Sequence, residues 1–318
     1  MKAWRVHELG QPADVLRFED VEVPSPGDGQ LLVRVRAAAL NFPDLLMIAG
    51  KYQERPALPF IPGVELTGEV VGSGERVLGA PAAGSGAFAE YALMDAAAAF
   101  PVPDQMPDHE AAALFLTYQT GHVGLHRRAR LKAGEMVLVH AGAGGVGSAA
   151  IQLAKAADAK VIATAGGPEK VAVCLKLGAD HAIDYLAGDF VGPVKDLTGG
   201  RGADVIYDPV GGDVFDSSRR CIAFEGRIVV VGFTSGRIAD APTNHALVKN
   251  YSVLGLHWGL YRTYEAALIR EVHAELTRLY AEGAIKPLVS QTLPLDQAVE
   301  ALAMLGQRAT TGKVVLTP

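Results

Sequence analysis

Residues 136–147, MVLVHAGAGGVG, constrain the fold more than any other stretch of this chain. An apolar run, Met136 to Val139, ends at His140. Gly142, Gly144 and Gly147 follow with G-x-G-x-x-G spacing, and an Ala-rich helical segment, SAAIQLAKAA, comes next. The order is strand, glycine turn, helix. In a dinucleotide fold the first glycine permits a tight turn. The second lets backbone approach a pyrophosphate, and the third lets helix pack close to strand. The free N–H groups of the new helix then face the phosphates. Taken without its context the motif also fits a structural glycine loop in another α/β domain.

The rest of the chain supplies that context. A length of 318 residues suggests two domains, and 49% hydrophobic with 20% charged residues is ordinary for a protein with a real core. The net charge of −6 offers no nucleic-acid surface, and Arg127, Arg128 and Arg130 read as a solvated helix end. Cys174 and Cys221 form neither a disulfide framework nor a Cys-rich metal site. With no apolar signal core in MKAWRVHELG and no membrane-length apolar run, the expectation is a cytoplasmic protein without membrane contact.

The first hundred residues read as β-rich, with segments near 2–7, 15–23, 30–39, 66–72 and 86–94 between Gly and Pro breaks. Residues 136–256 alternate strand and helix. Strands are expected at 136–140, 160–164, 181–184, 204–207, 227–231 and 251–256, with helices starting near 145, 169, 189, 213 and 244. That alternation predicts an α/β doubly wound parallel sheet. A long helix is expected over 261–282, a short one over 296–306 and a last strand at 313–317.

The second strand of the nucleotide unit bears on which dinucleotide is bound. NAD selection usually places an acid about 20 residues past the glycines to hold the ribose 2′-OH. Here the strand runs into Ala165, Gly166, Gly167, Pro168, Glu169 and Lys170. No acid stands at the strand end, the glycines leave room, and Lys170 can reach a 2′-phosphate. NADP(H) is therefore expected, unless Glu169 points inward.

Several stretches resemble the medium-chain dehydrogenase/reductase superfamily, within it the zinc-independent NADPH:quinone oxidoreductase-like group. They include ALNFPDLLMIAGKYQ, PFIPGVELTGEVVGSG, FLTYQTGHVGL, VLVHAGAGGVGSAAIQLAKA, DVIYDPVGGDVF, GRIVVVGFTSG and the terminal TGKVVLTP, in order along nearly the whole chain. The resemblance implies a mostly β GroES-like catalytic domain, residues 1–118 and 258–318, around a Rossmann NADP(H)-binding domain, residues 119–257. It also implies a cofactor lying in the cleft between the two. Carried over onto this sequence, Thr120 is near the nicotinamide and Gly144, Gly145 and Val146 are at the pyrophosphate. Gly166, Lys170 and Tyr185 are near the adenosine. Gly232 and Phe233 follow the fifth strand, and Leu256, His257 and Trp258 the sixth; His257 and Trp258 are equally expected as packing residues.

Zinc-dependent members hold their catalytic metal with ligands at positions that here read Asn41, Val64 and Leu116. Valine and leucine cannot ligate zinc, and a catalytic site needs about three protein ligands. The four-Cys structural lobe is absent as well. No zinc is expected at either place. His122 and His126 share a helix face but lack a third ligand in the sequence, and they read as ordinary helix residues. Without a Lewis acid, hydride delivery to an already electrophilic acceptor is favoured over alcohol oxidation. The expected substrate is a quinone or an α,β-unsaturated carbonyl.

Asn41 and Tyr52 match the family's N-x-x-D…Y segment and are the catalytic candidates. Asn41 would contact the nicotinamide ribose or a substrate oxygen, and Tyr52 would line the pocket and could donate a hydrogen bond. Asn41 and Asp44 are alternatively caps of the helical turn PDLLM, Tyr52 a rim aromatic, and Glu65 structural. Two departures from the family, the compressed GSGERVLG loop and Leu46 where some relatives place a tyrosine, leave the particular acceptor open. The alternatives are an enoyl- or acryloyl-CoA-type reductase, a zinc alcohol dehydrogenase disfavoured by its missing ligands, and a non-catalytic NADPH-binding sensor or structural protein. A homodimer is expected through the apolar last strand of the nucleotide unit, YSVLGL.

Overall fold

Gly and Pro breaks cut the first 101 residues into seven strands in the computed structural model, which describes residues 1–318. They are β1 (Lys2–Val6), β2 (Leu16–Asp20), β3 (Gln30–Ala39), β4 (Leu66–Val70), β5 (Arg76–Gly79), β6 (Tyr91–Asp95) and β7 (Phe100–Pro101). Six more strands follow: β8 (Met136–Val139), β9 (Lys160–Ala165), β10 (His181–Asp184), β11 (Ala203–Asp208), β12 (Ile222–Val230) and β13 (Ser252–Gly255). The chain ends on β14 (Val289–Pro294) and β15 (Lys313–Thr317). Two units result, Met1–Leu116 with Pro287–Pro318, and Thr117–Lys286.

The first unit is split in sequence because its sheet needs strands from both ends of the chain. Its order is β14-β15-β3-β4-β5-β7, with β6 also on β3, while β1 and β2 pair separately. β15 joins β3 antiparallel through Val315↔Ala39 and Leu316↔Ala38. The compressed loop noted above becomes the tight β4–β5 hairpin, with Glu69 opposite Arg76. Gly72 and Gly74 supply its positive φ angles. The helix Ala298–Gly306 closes the core: Ala298, Ala301 and Leu302 pack with Val33, Leu66, Phe88 and Leu316. The Trp4 indole N–H donates to Leu295 O at 2.7 Å, so burying this large ring leaves no polar atom stranded.

The second unit is a six-stranded sheet, order β10-β9-β8-β11-β12-β13, with every pairing parallel. Helical crossovers cover such a sheet on both faces, so its central strands are apolar throughout. All four residues of β8 are buried. β8 is flanked by β9 and β11, which puts the reversal of strand order between β8 and β11, where ligands bind in open α/β sheets.

Three boundaries depart from the sequence expectations. The helix expected over 261–282 is two helices, Gly259–Tyr264 and Ala266–Ala281, because Glu265 takes φ −140°, ψ 54° between them. The sequence placed a domain boundary after His257, whereas the compact unit extends to Lys286. Buried contacts hold the extra segment there: Gln119 Nε2 donates to Ile269 O at 2.9 Å, and Lys286 N to Gln152 Oε1 at 2.6 Å. β12 also begins five residues earlier than expected, with an irregular register between Ala203 and Val205 on its partner β11.

Candidate functional site

The glycine turn of the second unit is built by steric necessity. A Cβ on Gly147 would stand 2.1 Å from Ala141 O, and one on Gly142 would stand 2.9 Å from the Ala163 Cβ and the Cys174 Sγ. Ala141 itself is held at φ +50°, a strained value for a residue with a side chain. The helix Gly145–Ala156 then starts from Gly144 with no side chain capping it. Its first N–H groups point away from intrahelical partners, the arrangement that receives an anion.

His140 anchors the strand behind this turn. Its Nδ1 is 2.9 Å from Thr164 Oγ1 on β9 and its Nε2 is 2.8 Å from Ser218 Oγ on the helix Gly212–Ser218. Burial pushes the imidazole down to about 3, so it is neutral and acts as a cross-brace.

The other residues expected near a dinucleotide follow the C-terminal ends of successive strands. Gly166 and Lys170 come after β9, Tyr185 after β10, Gly232 and Phe233 after β12, and Leu256, His257 and Trp258 after β13. Thr120 is buried on the helix Asp108–His122. A Cβ on Gly166 would meet the Tyr185 hydroxyl at 2.7 Å. Lys170 is half-buried near the start of the helix Pro168–Lys176, and Glu169 is exposed. Leu256 and Trp258 are buried, while Phe233 is exposed.

Two carboxylates at these strand ends escaped the sequence reading. Asp184 Oδ1 accepts from Gly167 N at 2.8 Å and Leu186 N at 2.9 Å. Asp208, fully buried at the end of β11, accepts from Val210 N at 2.8 Å and Gly211 N at 2.9 Å. Burial raises the Asp208 carboxyl above its ordinary value. Both brace turns rather than face outward. The signal for Asp208 was its place at a strand end before Pro209, Val210, Gly211 and Gly212.

In the first unit, Asn41 sits at the N-terminus of the helix Phe42–Ile48 and forms a capping box with Asp44. The Asp44 Oδ2 accepts from Asn41 N at 2.7 Å. The Asn41 amide also enters a buried polar cluster. Its Nδ2 donates to Ala39 O at 3.1 Å and to Glu65 Oε1 at 2.9 Å. Glu65, fully buried, also accepts from Leu116 N through Oε2 at 2.8 Å. Lys313 of β15, 5% exposed, donates to Leu40 O, Asn41 Oδ1 and Glu65 Oε1 at 2.6, 2.6 and 2.8 Å. The sequence reading named Asn41 and gave Glu65 a structural part; it missed Lys313.

Burial pushes the Asp44 carboxyl up to about 7, against hydrogen bonding from Asn41 N and the charge of Lys313. Tyr52 lies beyond the helix and is half-buried. Its phenol is pushed up to about 12, by burial first and then by the charges of Glu54 and Asp44. It therefore remains an O–H donor across neutral pH.

The donor set does not fit a zinc ion. Asn41 is tied to Lys313 and Glu65, Val64 and Leu116 carry only apolar side chains, and no three His, Cys, Asp or Glu residues are placed to hold a metal. The rings of His122 and His126 lie 4.4 Å apart beside Glu275, whose carboxylate binds Arg278 instead. Burial lowers the imidazole of His122 to about 4. No helix is long and apolar enough to cross a membrane.

Comparison with known proteins follows the same division. Residues 27–104 match the alcohol dehydrogenase GroES-like domain family, and residues 145–274 match the zinc-binding dehydrogenase family. A quinone oxidoreductase-like protein 2 homolog from Nematostella vectensis is 39% identical over 326 residues, covering 99% of this chain and 88% of its own. The human synaptic vesicle membrane protein VAT-1 homolog is 32% identical, covering 93% of this chain and 80% of its own. The crystal structure of Escherichia coli quinone oxidoreductase complexed with NADPH is 33% identical, covers all of both chains and superposes with a TM-score of 0.92.

Proposed function

Since the chain belongs to the medium-chain dehydrogenase/reductase superfamily, in its quinone oxidoreductase-like group, we propose that it is an NADPH-dependent, zinc-independent reductase acting on a quinone or an α,β-unsaturated carbonyl. The observation that carries this reading is the glycine turn at the end of β8, with an uncapped helix N-terminus and further candidate residues at the ends of β9, β10, β12 and β13.

In this reading Gly144, Gly145 and Val146 hold the pyrophosphate. Gly166, Lys170 and Tyr185 hold the adenosine end, with the Lys170 ammonium on the 2′-phosphate. Thr120, Gly232, Phe233, Leu256, His257 and Trp258 serve the nicotinamide half. A bound NADPH supplies the hydride, and the chain's residues orient and stabilise. Asn41 fixes the ligand, and Tyr52 donates a hydrogen bond to the enolate or quinol oxygen as charge develops there. Its raised phenol makes it a donor that keeps its proton, so water completes the protonation.

The test is oxidation of NADPH and NADH by metal-stripped protein with a quinone, an enone and an enoyl-CoA. Turnover of a quinone or an enone with NADPH supports the reading. A preference for enoyl-CoA moves it to a thioester reductase, and a requirement for added zinc contradicts it. A second reading, an NADPH-binding protein without turnover, draws on the VAT-1 relative, whose name specifies no reaction.

The chain pairs with a second copy in this proposal. β13 is the outer strand of its sheet, with Val253 partly exposed. Phe224, Leu247 and Val248 are exposed on the segments before it. Unpaired apolar edges of this kind are covered in stable proteins.

A further inference from the structure

We infer that the first unit carries a binding site for a short aliphatic monocarboxylate, formed by an apolar hollow beside the helix Phe42–Ile48 with Arg55 on its wall. The hollow has a volume of about 200 Å³ and is lined by Leu9, Met47, Gly50, Arg55, Pro56 and Leu58. Its frame is fixed by backbone hydrogen bonds. Gly10 N donates to Ile48 O at 3.1 Å, Val6 N to Phe60 O at 2.9 Å, and Phe60 N back to Val6 O at 3.1 Å. Gly50 takes φ +67°, and a Cβ there would stand 2.7 Å from Leu9 Cδ1, so the glycine lets that leucine lie close over the helix end. Met47 is buried, whereas Leu9 and Leu58 are 50% and 44% exposed. An apolar tail entering the hollow removes both leucines from water, and that burial favours binding.

Charge identifies the occupant. Arg55 is the only charged residue of the lining and is exposed. It forms no ion pair or hydrogen bond within the chain, whereas Arg5, Arg36 and Arg76 of the same unit are each paired with a carboxylate. One unpaired cation matches a monoanion, and the planar fork of a guanidinium matches the two oxygens of a carboxylate. The apolar remainder of the lining excludes a multiply charged body. A volume of about 200 Å³ holds roughly seven groups the size of a water molecule, at about 30 Å³ each. The occupant is thus a free carboxylate with an aliphatic tail of about seven carbons, the size of octanoate. The site lies within the first unit and does not depend on the reductase reading.

The test is titration of the full chain with butanoate, hexanoate, octanoate and 1-octanol, followed by nuclear magnetic resonance. Octanoate is expected to shift the amide resonances of Leu9, Met47 and Gly50. Affinity is expected to rise about fourfold per methylene from butanoate to octanoate, the increment for burying one CH2 group. It levels off with decanoate and dodecanoate, whose tails outgrow the hollow. Arg55→Gln is expected to weaken octanoate about tenfold, the value of a charge-assisted hydrogen bond, and to leave 1-octanol within about twofold. Leu9→Asn is expected to weaken both ligands about threefold or more. Both variants change exposed side chains, and an unchanged urea midpoint shows that they fold.

Octanoate bound by Arg55→Gln as tightly as by wild type overturns the inference, since the carboxylate then has no partner at the hollow. An affinity that does not depend on tail length overturns it as well, as do resonance shifts confined to residues outside the hollow. Binding to vesicles of anionic phospholipid without binding of free octanoate also overturns it, because the occupant is then a membrane surface. None of these outcomes bears on the reductase reading, which turnover with NADPH decides.

Discussion

At the scale of single residues, charge and burial set the sharpest expectations. Tyr52→Phe removes the proposed donor while keeping the ring. Turnover is expected to fall at least about tenfold with NADPH affinity unchanged, as for loss of one oxyanion-type hydrogen bond; unchanged turnover in steady-state assays ends the donor role. Lys170→Ala is expected to weaken NADPH binding about tenfold or more and to leave NADH binding nearly as it was. Equal losses for both cofactors would remove Lys170 from the 2′-phosphate. Asp44 carries a pH signature. Its folded carboxyl, at about 7 against 3.8 for the free group, stays protonated where the unfolded one is ionised. Its contribution to stability is full below pH 3.8 and is lost as pH rises through about 7. Asp44→Asn, which keeps an acceptor for Asn41 N, should flatten that loss in urea titrations between about pH 4 and 7.

The place of Lys170, one turn into the helix after β9, was legible because strand, glycines and helix start are adjacent in sequence. Lys313 was not, because its partners Asn41 and Glu65 lie 272 and 248 positions away, and nothing in TGKVVLTP marks the lysine as buried.

At the scale of elements, the turn after β8 concentrates the steric demands. Gly147→Ala places a methyl against the Ala141 backbone carbonyl, which cannot move aside as a flexible side chain would. A loss of about 2 kcal/mol or more is expected, together with weakened NADPH binding. Gly188→Ala, with nothing within 4 Å of the added atom, should stay within about 0.5 kcal/mol in the same denaturation series. The brace behind the turn has a pH dependence of opposite sign to Asp44. His140, held neutral down to about 3 against 6.5 for the free group, contributes stability that is lost as pH falls through that window. The strands of this unit were readable because buried parallel strands are continuous apolar runs. β5 and β7 were not, being only four and two residues long, and the break at Glu265 is invisible to a periodicity that continues through it.

At the scale of the whole molecule, the resemblance along the chain anticipated a fold split in sequence, and the antiparallel pairing of β15 with β3 provides it physically. The sequence could not place the boundary near residue 286, because the helix Ala266–Ala281 is amphipathic and its sequence does not say which unit it covers. The exposed edge at β13 predicts a dimer, which light scattering would read as twice the chain mass; a monomer across micromolar concentrations would remove the pairing. The central claim is hydride transfer from NADPH to an electrophilic carbon without metal. It is tested most directly by turning over an enone with NADPH deuterated at the transferring position of C4, using metal-stripped protein, and locating the label. The account predicts one deuterium on the β-carbon of the saturated product. A product carrying no deuterium there, or no product with any acceptor despite tight NADPH binding, would contradict it.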